Sequence, residues 1–239
     1  MNLIIDCGNT NLKYFIFKDQ ALVATGLFKW EGDWSSKVIK NFPDLKNVLL
    51  SDVTGKYNTE ELEIKFPNNK IYDVKALDFP FETNYNYQDL GDDRIGLIVA
   101  TLNKFPGQDC LVIDAGSCLT YDLISSKSVH LGGLISPGLF MRFKSLSQYT
   151  SSLPHVNFQD KKREIGNDTQ NSIQSGILEG LIFEINGQID NFKRKTPNLK
   201  VILAGGDSKY LYKRIKNSIF VEQEFLASGL NNLLACDNL

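Results

Sequence analysis

The 239-residue sequence has no block of basic residues, and its formal net charge is −2. The positive footprint of a nucleic-acid-binding protein is therefore missing, and we expect a small-molecule partner instead of a nucleic acid. Apolar runs, such as the one from Gly96 to Leu102, are far too short to span a membrane. The strand-like residues that follow Met1 leave no room for a signal peptide. These absences predict a cytoplasmic protein with no membrane partner.

Cysteine and histidine are also scarce. The four cysteines form no CxxC pair, and the two histidines, His130 and His155, complete no Cys/His metal-binding pattern. This composition predicts reduced thiols. Because histidine is so rare, carboxylates are the better candidates for acid–base chemistry. The signatures GxxxxGK[ST], GxGxxG, GxSxG and HExxH are absent, so P-loop, dinucleotide-binding, serine-hydrolase and zinc-protease interpretations lack their motifs.

An internal repeat is the most informative feature that is present. Residues 3–16 (LIIDCGNTNLKYFI) and 111–124 (LVIDAGSCLTYDLI) align without a gap. Each copy predicts an apolar strand that ends in an aspartate, then a small-residue turn and a second strand. One such hairpin is common in proteins. Two copies in equivalent places indicate a duplicated unit.

Hydrophobic periodicity predicts similar elements in the two halves. In the first half we expect strands at 3–5, 12–17, 21–28, 47–53 and 70–74, and helices at 34–41 and from residue 92. In the second half we expect strands at 110–113, 119–124, 130–135 and 201–203, helices at 139–147 and around 173–189, and two more helices at the end. Gly176 and Gly180 inside the long helix predict close packing there. The pattern predicts an α/β protein of two domains, 1–108 and 109–239, which face each other across a cleft.

The first hairpin suits a metal–phosphate ligand. Gly8 lets the backbone approach closely, and successive N–H groups can form an anion-binding nest. Asn9 and Thr10 can donate to phosphate oxygens, and Lys13 adds a positive charge. Asp6 can hold Mg²⁺ directly or through water.

A second stretch, Gly91-Asp92-Asp93-Arg94, directly precedes an amphipathic pattern. A helix N-terminus attracts anions, and an arginine can clamp a carboxylate with two hydrogen bonds. One of the two aspartates could accept a proton from a hydroxyl group. Judged from this stretch alone, helix capping by Asp92 or Asp93 is the better explanation of the same residues.

Taken together and in order, the motifs resemble the type III pantothenate kinases of bacteria, which belong to the superfamily of acetate and sugar kinases, Hsp70 and actin. The resemblance extends from residue 3 to about residue 233 and implies duplicated ribonuclease H-like (actin-like ATPase) domains. Its motifs are Asp6-x-Gly8-Asn9-Thr10-x-x-Lys13, Gly91-x-Asp93-Arg94, Asp114-Ala115-Gly116-Ser117, Gly132-Gly133-x-Ile135-x-Pro137-Gly138, Ile165-Gly166-x-x-Thr169 and Gly205-Gly206.

The resemblance implies ATP-dependent phosphorylation of pantothenate to 4′-phosphopantothenate, the first step towards coenzyme A, by a homodimer. It implies that Asp93 is the catalytic proton acceptor, that Asp114 binds a monovalent cation (K⁺ or NH₄⁺), and that Asp6 binds Mg²⁺, through water. The implied ATP-binding residues are Asp6, Cys7, Gly8, Asn9, Thr10, Asn11, Leu12, Lys13 and Ser117. The implied pantothenate-binding residues are Tyr85, Gly91, Asp92, Asp93, Arg94 and Thr169.

The chain departs from the family pattern in two places. Ser117-Cys118 stands where the family has Thr-Ala, and Ser117 keeps the hydroxyl group of the threonine. The family has a substrate-contacting tyrosine about seven residues before the glycine of Gly-x-Asp-Arg, and this chain has Asn84 at that position. A one-residue deletion would make Tyr85 the matching tyrosine, and Tyr87 lies near it in the sequence. The sequence leaves two rival functions open: another kinase of the superfamily, or a non-catalytic nucleotide-binding accessory protein.

Overall fold

The structure, a computed structural model, describes residues 1–161, 165–217, 219–222 and 224–236. Its contacts divide the chain into two compact units. Unit 1 contains residues 1–106, residues 128–130 and the C-terminal stretch that begins at Glu224. Unit 2 contains residues 107–127 and the described residues between Leu131 and Glu222. No helix in the described part of the chain is long and apolar enough to cross a membrane.

The described helices and strands follow the predicted order closely. The strands are β1 (Asn2–Cys7), β2 (Leu12–Lys18), β3 (Ala21–Phe28), β4 (Asn47–Asp52), β5 (Lys70–Asp73), β6 (Glu82–Thr83), β7 (Cys110–Ala115), β8 (Cys118–Ile124), β9 (Val129–Pro137), β10 (Lys200–Ala204) and β11 (Phe220–Val221). The helices are α1 (Trp34–Asn41), α2 (Thr59–Lys65), α3 (Asp92–Lys104), α4 (Leu139–Tyr149), α5 (Thr169–Lys195), α6 (Ser208–Leu211) and α7 (Phe225–Cys236).

The sheet of unit 1 has the strand order β3-β2-β1-β4-β5. Its first three strands form an antiparallel meander. Strand β4 then pairs in parallel with β1, and β5 pairs in parallel with β4. The central strands β1 and β4 are apolar on both faces, as expected for strands covered on both sides. On one face, Leu3, Ile5 and Leu50 pack with Trp34 and Phe66.

Helix α7 returns to unit 1 at the end of the chain and packs on α3. The two backbones lie so close that a β-carbon on Gly229 would come within 1.8 Å of the Gly96 carbonyl oxygen. Asn231 ties the same helix to the sheet, because its side chain accepts from Asn2 at 2.8 Å and donates to the Asp19 carbonyl at 2.9 Å. Unit 1 is therefore discontinuous in sequence, unlike the expected domains 1–108 and 109–239.

The sheet of unit 2 repeats the same strand order, β9-β8-β7-β10-β11. Strand β8 is antiparallel to β7, and β10 and β11 add in parallel. Val129 and His130 at the start of β9 belong to unit 1, where they pair with β6. Helix α5 buries one side against this sheet. The sheet, α5 and α4 together form the core of the unit. The shared strand order confirms the duplication that the sequence predicts.

Two details differ from the expectations. The gap-free repeat hides a one-residue difference in the turns, because β1 pairs Asp6 with Lys13 whereas β7 pairs Asp114 with Thr120. The expected close packing at Gly176 and Gly180 is wrong, since a β-carbon on either glycine would meet no atom within 4 Å. Both glycines lie on the exposed side of α5.

Candidate active site

In unit 1, the β1–β2 hairpin presents its turn to solvent. The Gly8 N–H donates to the Asn11 carbonyl at 3.1 Å and closes the turn. Asn9, Thr10 and Asn11 are exposed, whereas Cys7 is buried in the apolar core. The turn can therefore offer polar side chains and backbone N–H groups to a phosphate, while Cys7 could contribute only its backbone.

Asp6 lies at the end of β1, opposite Lys13. Burial raises the pKa of Asp6 to about 7; Lys13 opposes this shift, and the charges of Asp93 and Asp92 add to it. Asp6, Asp92 and Asp93 thus form a site of interacting negative charges within unit 1. Such a site gains from a bound cation.

We expect Asp6→Asn to stabilise the protein in metal-free buffer, increasingly so as the pH rises. The pKa of Asp6 is about 7 in the folded chain against an ordinary 3.8, so its favourable contribution is complete below pH ~4 and is lost as the pH rises through ~7. Asn has no proton to lose. The melting temperature of the variant minus that of the wild type, measured in EDTA, should grow between pH 5 and pH 8 by roughly 5 °C. A difference that does not vary with pH would contradict the raised pKa of Asp6.

The second stretch begins helix α3. Gly91 is its N-cap, and no described side chain caps the helix. The capping by Asp92 or Asp93 that the sequence suggested is therefore not what the structure has. The Asp93 carboxylate accepts from the Arg94 N–H at 2.8 Å and lies over Gly91, where a β-carbon would stand 2.6 Å from Asp93 Oδ1. Glycine at this position thus leaves room for the carboxylate, and Asp93 itself is partly exposed.

Asp92 has different surroundings from its neighbour. It is 6 % exposed, its Oδ2 accepts from the Asp52 N–H at 2.9 Å, and its Oδ1 lies 3.9 Å from Lys75 Nζ. Burial raises the pKa of Asp92 to about 6, while the Asp52 N–H and Lys75 oppose the shift. The structure therefore separates two adjacent aspartates, one engaged inside the unit and one at its surface.

Tyr85 and Tyr87 also differ in their contacts. The Arg94 guanidinium lies over the Tyr85 ring, 4.9 Å from its centroid. The Tyr85 ring also meets the buried His130, whose Nδ1 is hydrogen-bonded to Thr83 Oγ1 at 2.8 Å. The Tyr87 hydroxyl instead donates to the Phe81 carbonyl at 3.2 Å. Of the two tyrosines, Tyr85 is the one in contact with Arg94.

In unit 2, two glycines press on the turn that follows Asp114. A β-carbon on Gly205, whose φ is +87°, would lie 2.4 Å from Asp114 Oδ1 and 2.3 Å from the Ala115 carbonyl oxygen. A β-carbon on Gly138 would lie 2.1 Å from the Gly116 carbonyl oxygen. Only glycine allows these two segments to approach, which explains Gly138 and Gly205 within their motifs physically.

Two buried hydroxyl groups stand next to the two repeated aspartates. Thr120 pairs with Asp114 across β7 and β8, and Ser51 pairs with Asp6 across β1 and β4. Thr120 Oγ1 and Ser51 Oγ are buried and have no hydrogen-bond partner. Oxygen atoms of this kind are the ligands that hard cations prefer. Among the described residues, no three His, Cys, Asp or Glu side chains cluster into a metal site, so any cation must also take backbone, hydroxyl, water or substrate oxygens.

Thr169 is the first residue of α5, after the N-cap Asp168, which accepts from the Asn171 N–H at 2.7 Å. It lines a cavity of about 650 Å³ between α4 and α5, together with Arg142, Ser172 and Ile173. The Arg142 side chain is held by the Pro137 carbonyl at 2.9 Å and by Glu184 at 2.5 Å. Ser117 lies in the turn before β8, where its carbonyl accepts from the Gly138 N–H at 3.2 Å.

Four polar residues of these surroundings are absent from the sequence prediction: Ser51, Lys75, Thr120 and His130. Thr120 lies inside the second repeat, and its alternation within the strand could have indicated that it faces the same side as Asp114. Ser51, Lys75 and His130 lie outside every motif. Only the tertiary pairing of their strands and turns brings them to the site.

Solved structures with the same architecture define the class of protein. A Campylobacter jejuni protein provisionally assigned to the Baf family of transcriptional activators superposes with a TM-score of 0.63 and 23 % identity, covering 99 % of this chain and 100 % of that one. A Sinorhizobium meliloti protein provisionally assigned as a 2-dehydro-3-deoxygalactonokinase gives a TM-score of 0.60 at 11 % identity, covering 99 % of each chain. The fold is the duplicated, ribonuclease H-like fold of the actin-like ATPases and kinases.

Sequence comparison then gives the family within that class. The model of the type III pantothenate kinase family matches residues 2–191. Type III pantothenate kinases of Christiangramia forsetii and Flavobacterium psychrophilum are 41 % and 40 % identical, each covering 98 % of both chains. That of Bacteroides fragilis is 35 % identical over 100 % of this chain and 99 % of its own. The chain belongs to the type III pantothenate kinase family, as its ordered motifs predict.

Proposed function

We propose that this protein transfers the γ-phosphoryl group of ATP to the primary hydroxyl of pantothenate and releases 4′-phosphopantothenate and ADP, as the first step towards coenzyme A. The observation that carries the proposal is the placement of Asp93 at the start of α3, partly exposed over Gly91, in the unit whose β1–β2 hairpin offers Asp6, Lys13 and an exposed polar turn. The proposed proton acceptor and the proposed phosphate-binding hairpin thus belong to the same unit.

In the proposed reaction, the pantothenate hydroxyl oxygen attacks the γ-phosphorus in line. A new P–O bond forms, the bond between the γ-phosphorus and the β,γ-bridging oxygen breaks, and the hydroxyl proton passes to Asp93. Such a transition state is loose, so the protein contributes mainly positioning and charge stabilisation. Lys13 and the N–H groups around Gly8 stabilise the charge on the phosphates. The other residues of the hairpin from Asp6 to Leu12 bind ATP through exposed polar groups or backbone, and Ser117 contributes its hydroxyl.

Pantothenate has a carboxylate at the end opposite the reacting hydroxyl. Arg94 can bind that carboxylate with two hydrogen bonds, and the Tyr85 ring holds the guanidinium from one side. We assign the substrate contact to Tyr85 because Tyr87 is engaged by the Phe81 carbonyl. Thr169 belongs to the proposed pantothenate-binding residues, and it lines a cavity within unit 2.

Two cations belong to the proposal. Asp6, with the buried Ser51 hydroxyl beside it, would help to hold Mg²⁺, through water and the ATP phosphates, since Mg²⁺ commonly uses only one or two carboxylates. Asp114 would hold K⁺ or NH₄⁺ together with the hydroxyl of Thr120. When bound, these ions neutralise negative charge on the phosphates and at Asp114.

A coupled assay of ADP release, with and without pantothenate, tests the proposed function. Pantothenate-dependent release is expected. A panel of sugars and carboxylates as acceptors separates the rival kinases, and nucleotide binding without turnover of any acceptor would indicate a non-catalytic accessory protein instead.

We expect replacement of K⁺ by Na⁺ to lower turnover severalfold, since Na⁺ is smaller and holds its water more strongly than K⁺. The same rate measurement on Asp114→Asn should show little difference between the two salts, because the variant has lost the anionic ligand. A wild-type rate that is equal in K⁺ and Na⁺ would contradict the cation role of Asp114.

The homodimer and the cytoplasmic location complete the proposal. Large apolar side chains on β9 and α4 are exposed in unit 2, and the proposed dimer would cover them. The exposed side chains are Leu131, Leu134, Ile135, Phe140 and Met141. Light scattering after size-exclusion chromatography tests the dimer.

The proposed location is the cytoplasm, because the reaction consumes ATP, which the cytoplasm supplies.

A further inference from the structure

One lysine holds the segment that leads into α3. Lys75 lies in the 3-10 turn Val74–Ala76 that follows β5. Its Nζ donates to the Tyr87 carbonyl at 2.9 Å and also to the Leu90 carbonyl. These two carbonyls belong to residues 84–91, a stretch between β6 and α3 without a helix or strand. A single ammonium group therefore ties this stretch to the turn that follows β5.

The same ammonium group also reaches the first turn of α3. Lys75 Nζ lies 3.9 Å from Asp92 Oδ1, and the Lys75 side chain is only 27 % exposed. The other oxygen of Asp92 accepts from the Asp52 N–H at 2.9 Å. A carboxylate as buried as Asp92 is costly unless a cation and hydrogen bonds compensate it. Lys75 supplies that cation, and Asp52 supplies the hydrogen bond.

Asp52 extends this connection into the sheet. It ends β4, and its carboxylate accepts from the Thr54 N–H at 2.7 Å and from the Tyr57 N–H at 2.9 Å. The turn after β4 is thereby fixed, and with it the N–H that Asp92 uses. The contacts form one path from β5 through Lys75 and Asp92 to the end of β4.

We propose that Lys75 is a positioning residue of the pantothenate site. It fixes the 84–91 segment, which carries Tyr85 and Gly91, and through Asp92 it fixes the first turn of α3, which carries Asp93 and Arg94. Two of the three donors of the ammonium group go to the Tyr87 and Leu90 carbonyls, and the Asp92 carboxylate faces it as an ion-pair partner at 3.9 Å. The proposed role of Lys75 is exerted through these neighbours and not by contact with the substrate. Asp92 likewise acts through its neighbours. This inference rests on the proposed function for the identity of the substrate.

Lys75→Met tests the proposal, because methionine keeps an apolar stem and removes the charge and all donors. Lys37→Met, at an exposed position of α1, is the matched control. We expect kcat/KM for pantothenate to fall roughly 10- to 100-fold in Lys75→Met, since small displacements of positioning groups have effects of this size. Affinity for a fluorescent ATP analogue should stay within about twofold of the wild type, because the contacts of the Lys75 side chain are with Tyr87, Leu90 and Asp92 and not with residues 6–13. The control should match the wild type in both measurements.

Hydrogen–deuterium exchange without substrates gives a readout that does not depend on activity. Peptides covering 84–91 and the first turn of α3 should exchange faster in Lys75→Met, and peptides of β7 should not change. Asp92→Asn should produce the same exchange pattern, and the double variant should be less impaired than the product of the two single effects. If Asp92→Asn weakens pantothenate binding but leaves exchange at the wild-type level, Asp92 contacts the substrate directly and the proposal is wrong.

Wild-type exchange and a wild-type kcat/KM for pantothenate in Lys75→Met would also overturn the proposal. Should that variant fail to fold, Lys75→Arg keeps the charge but changes the donor geometry, and it should show faster exchange at 84–91 with a smaller loss of kcat/KM. Absence of pantothenate turnover in the wild type would overturn the proposed function. Exchange at 84–91 would still report whether Lys75 holds that segment.

Discussion

Asp93→Asn is expected to fold normally and to lose nearly all pantothenate-dependent ADP release. The amide fills the same space over Gly91 and can still accept from the Arg94 N–H, so α3 keeps its start. It cannot take up the proton of the substrate hydroxyl. Loss of a positioned general base costs roughly 10²- to 10⁴-fold in rate. Coupled-enzyme kinetics measure the rate, and circular dichroism with thermal melting checks the fold.

Asp78→Asn is a suitable control for this experiment, because Asp78 is an exposed carboxylate of the same unit and should leave the rate unchanged. Binding of ATP to Asp93→Asn should remain, as the phosphate hairpin keeps Lys13 and its turn. A folded Asp93→Asn protein with wild-type turnover would refute the assignment of the base. In that event the neighbouring Asp92 would be tested next.

Gly229→Ala is expected to destabilise the protein strongly. The added methyl group would meet the Gly96 carbonyl oxygen at 1.8 Å, and this contact is backbone, which cannot rotate away. The helices α3 and α7 must therefore separate, and overpacking of this kind costs about 3 kcal/mol. For a chain of this size the melting temperature should fall by roughly 10 °C. Turnover at a temperature where the variant stays folded should also fall, because α3 carries the proposed base.

Gly187→Ala provides a matched comparison. This glycine lies within α5, and a β-carbon there would meet no atom within 4 Å. Removal of a helical glycine without a clash should stabilise the protein by about 0.5–1 kcal/mol. Equal effects of the two substitutions would show that helix propensity, and not the approach of α3 to α7, decides the outcome at Gly229.

Much of the fold could be predicted because the relevant signals are local. The alternation and apolar runs of β1, β2, β7 and β8, each pair joined by small turn residues, made the duplicated hairpins visible. The order of the motifs gave the family, which the comparisons confirm. The one-residue difference between the turns stayed hidden, because a gap-free alignment of letters contains no information on which residues pair across strands.

The site was less accessible to prediction because adjacent residues in it have different environments. Asp92 and Asp93 carry the same side chain, and their helix positions alone could not tell which is buried. The difference arises from Lys75, which the turn after β5 supplies, and from the Asp52 N–H at the end of β4. In the same way, Gly176 and Gly229 are both helical glycines, and only the neighbouring helix distinguishes a forced glycine from a tolerated one.

The return of α7 to unit 1 also matters for how the protein is made. The chain leaves unit 1 after residue 106 and comes back only at Glu224, apart from the short stretch at 128–130. A ribosome therefore releases the last helix of the first unit after it has synthesised the second. Until that moment, the Gly96 side of α3 has no cover, and a nascent chain exposes an apolar surface of the kind that chaperones bind. A premature stop just before Glu224 would leave the strands of both sheets in the product. Unit 1, which carries the proposed base, would lack helix α7.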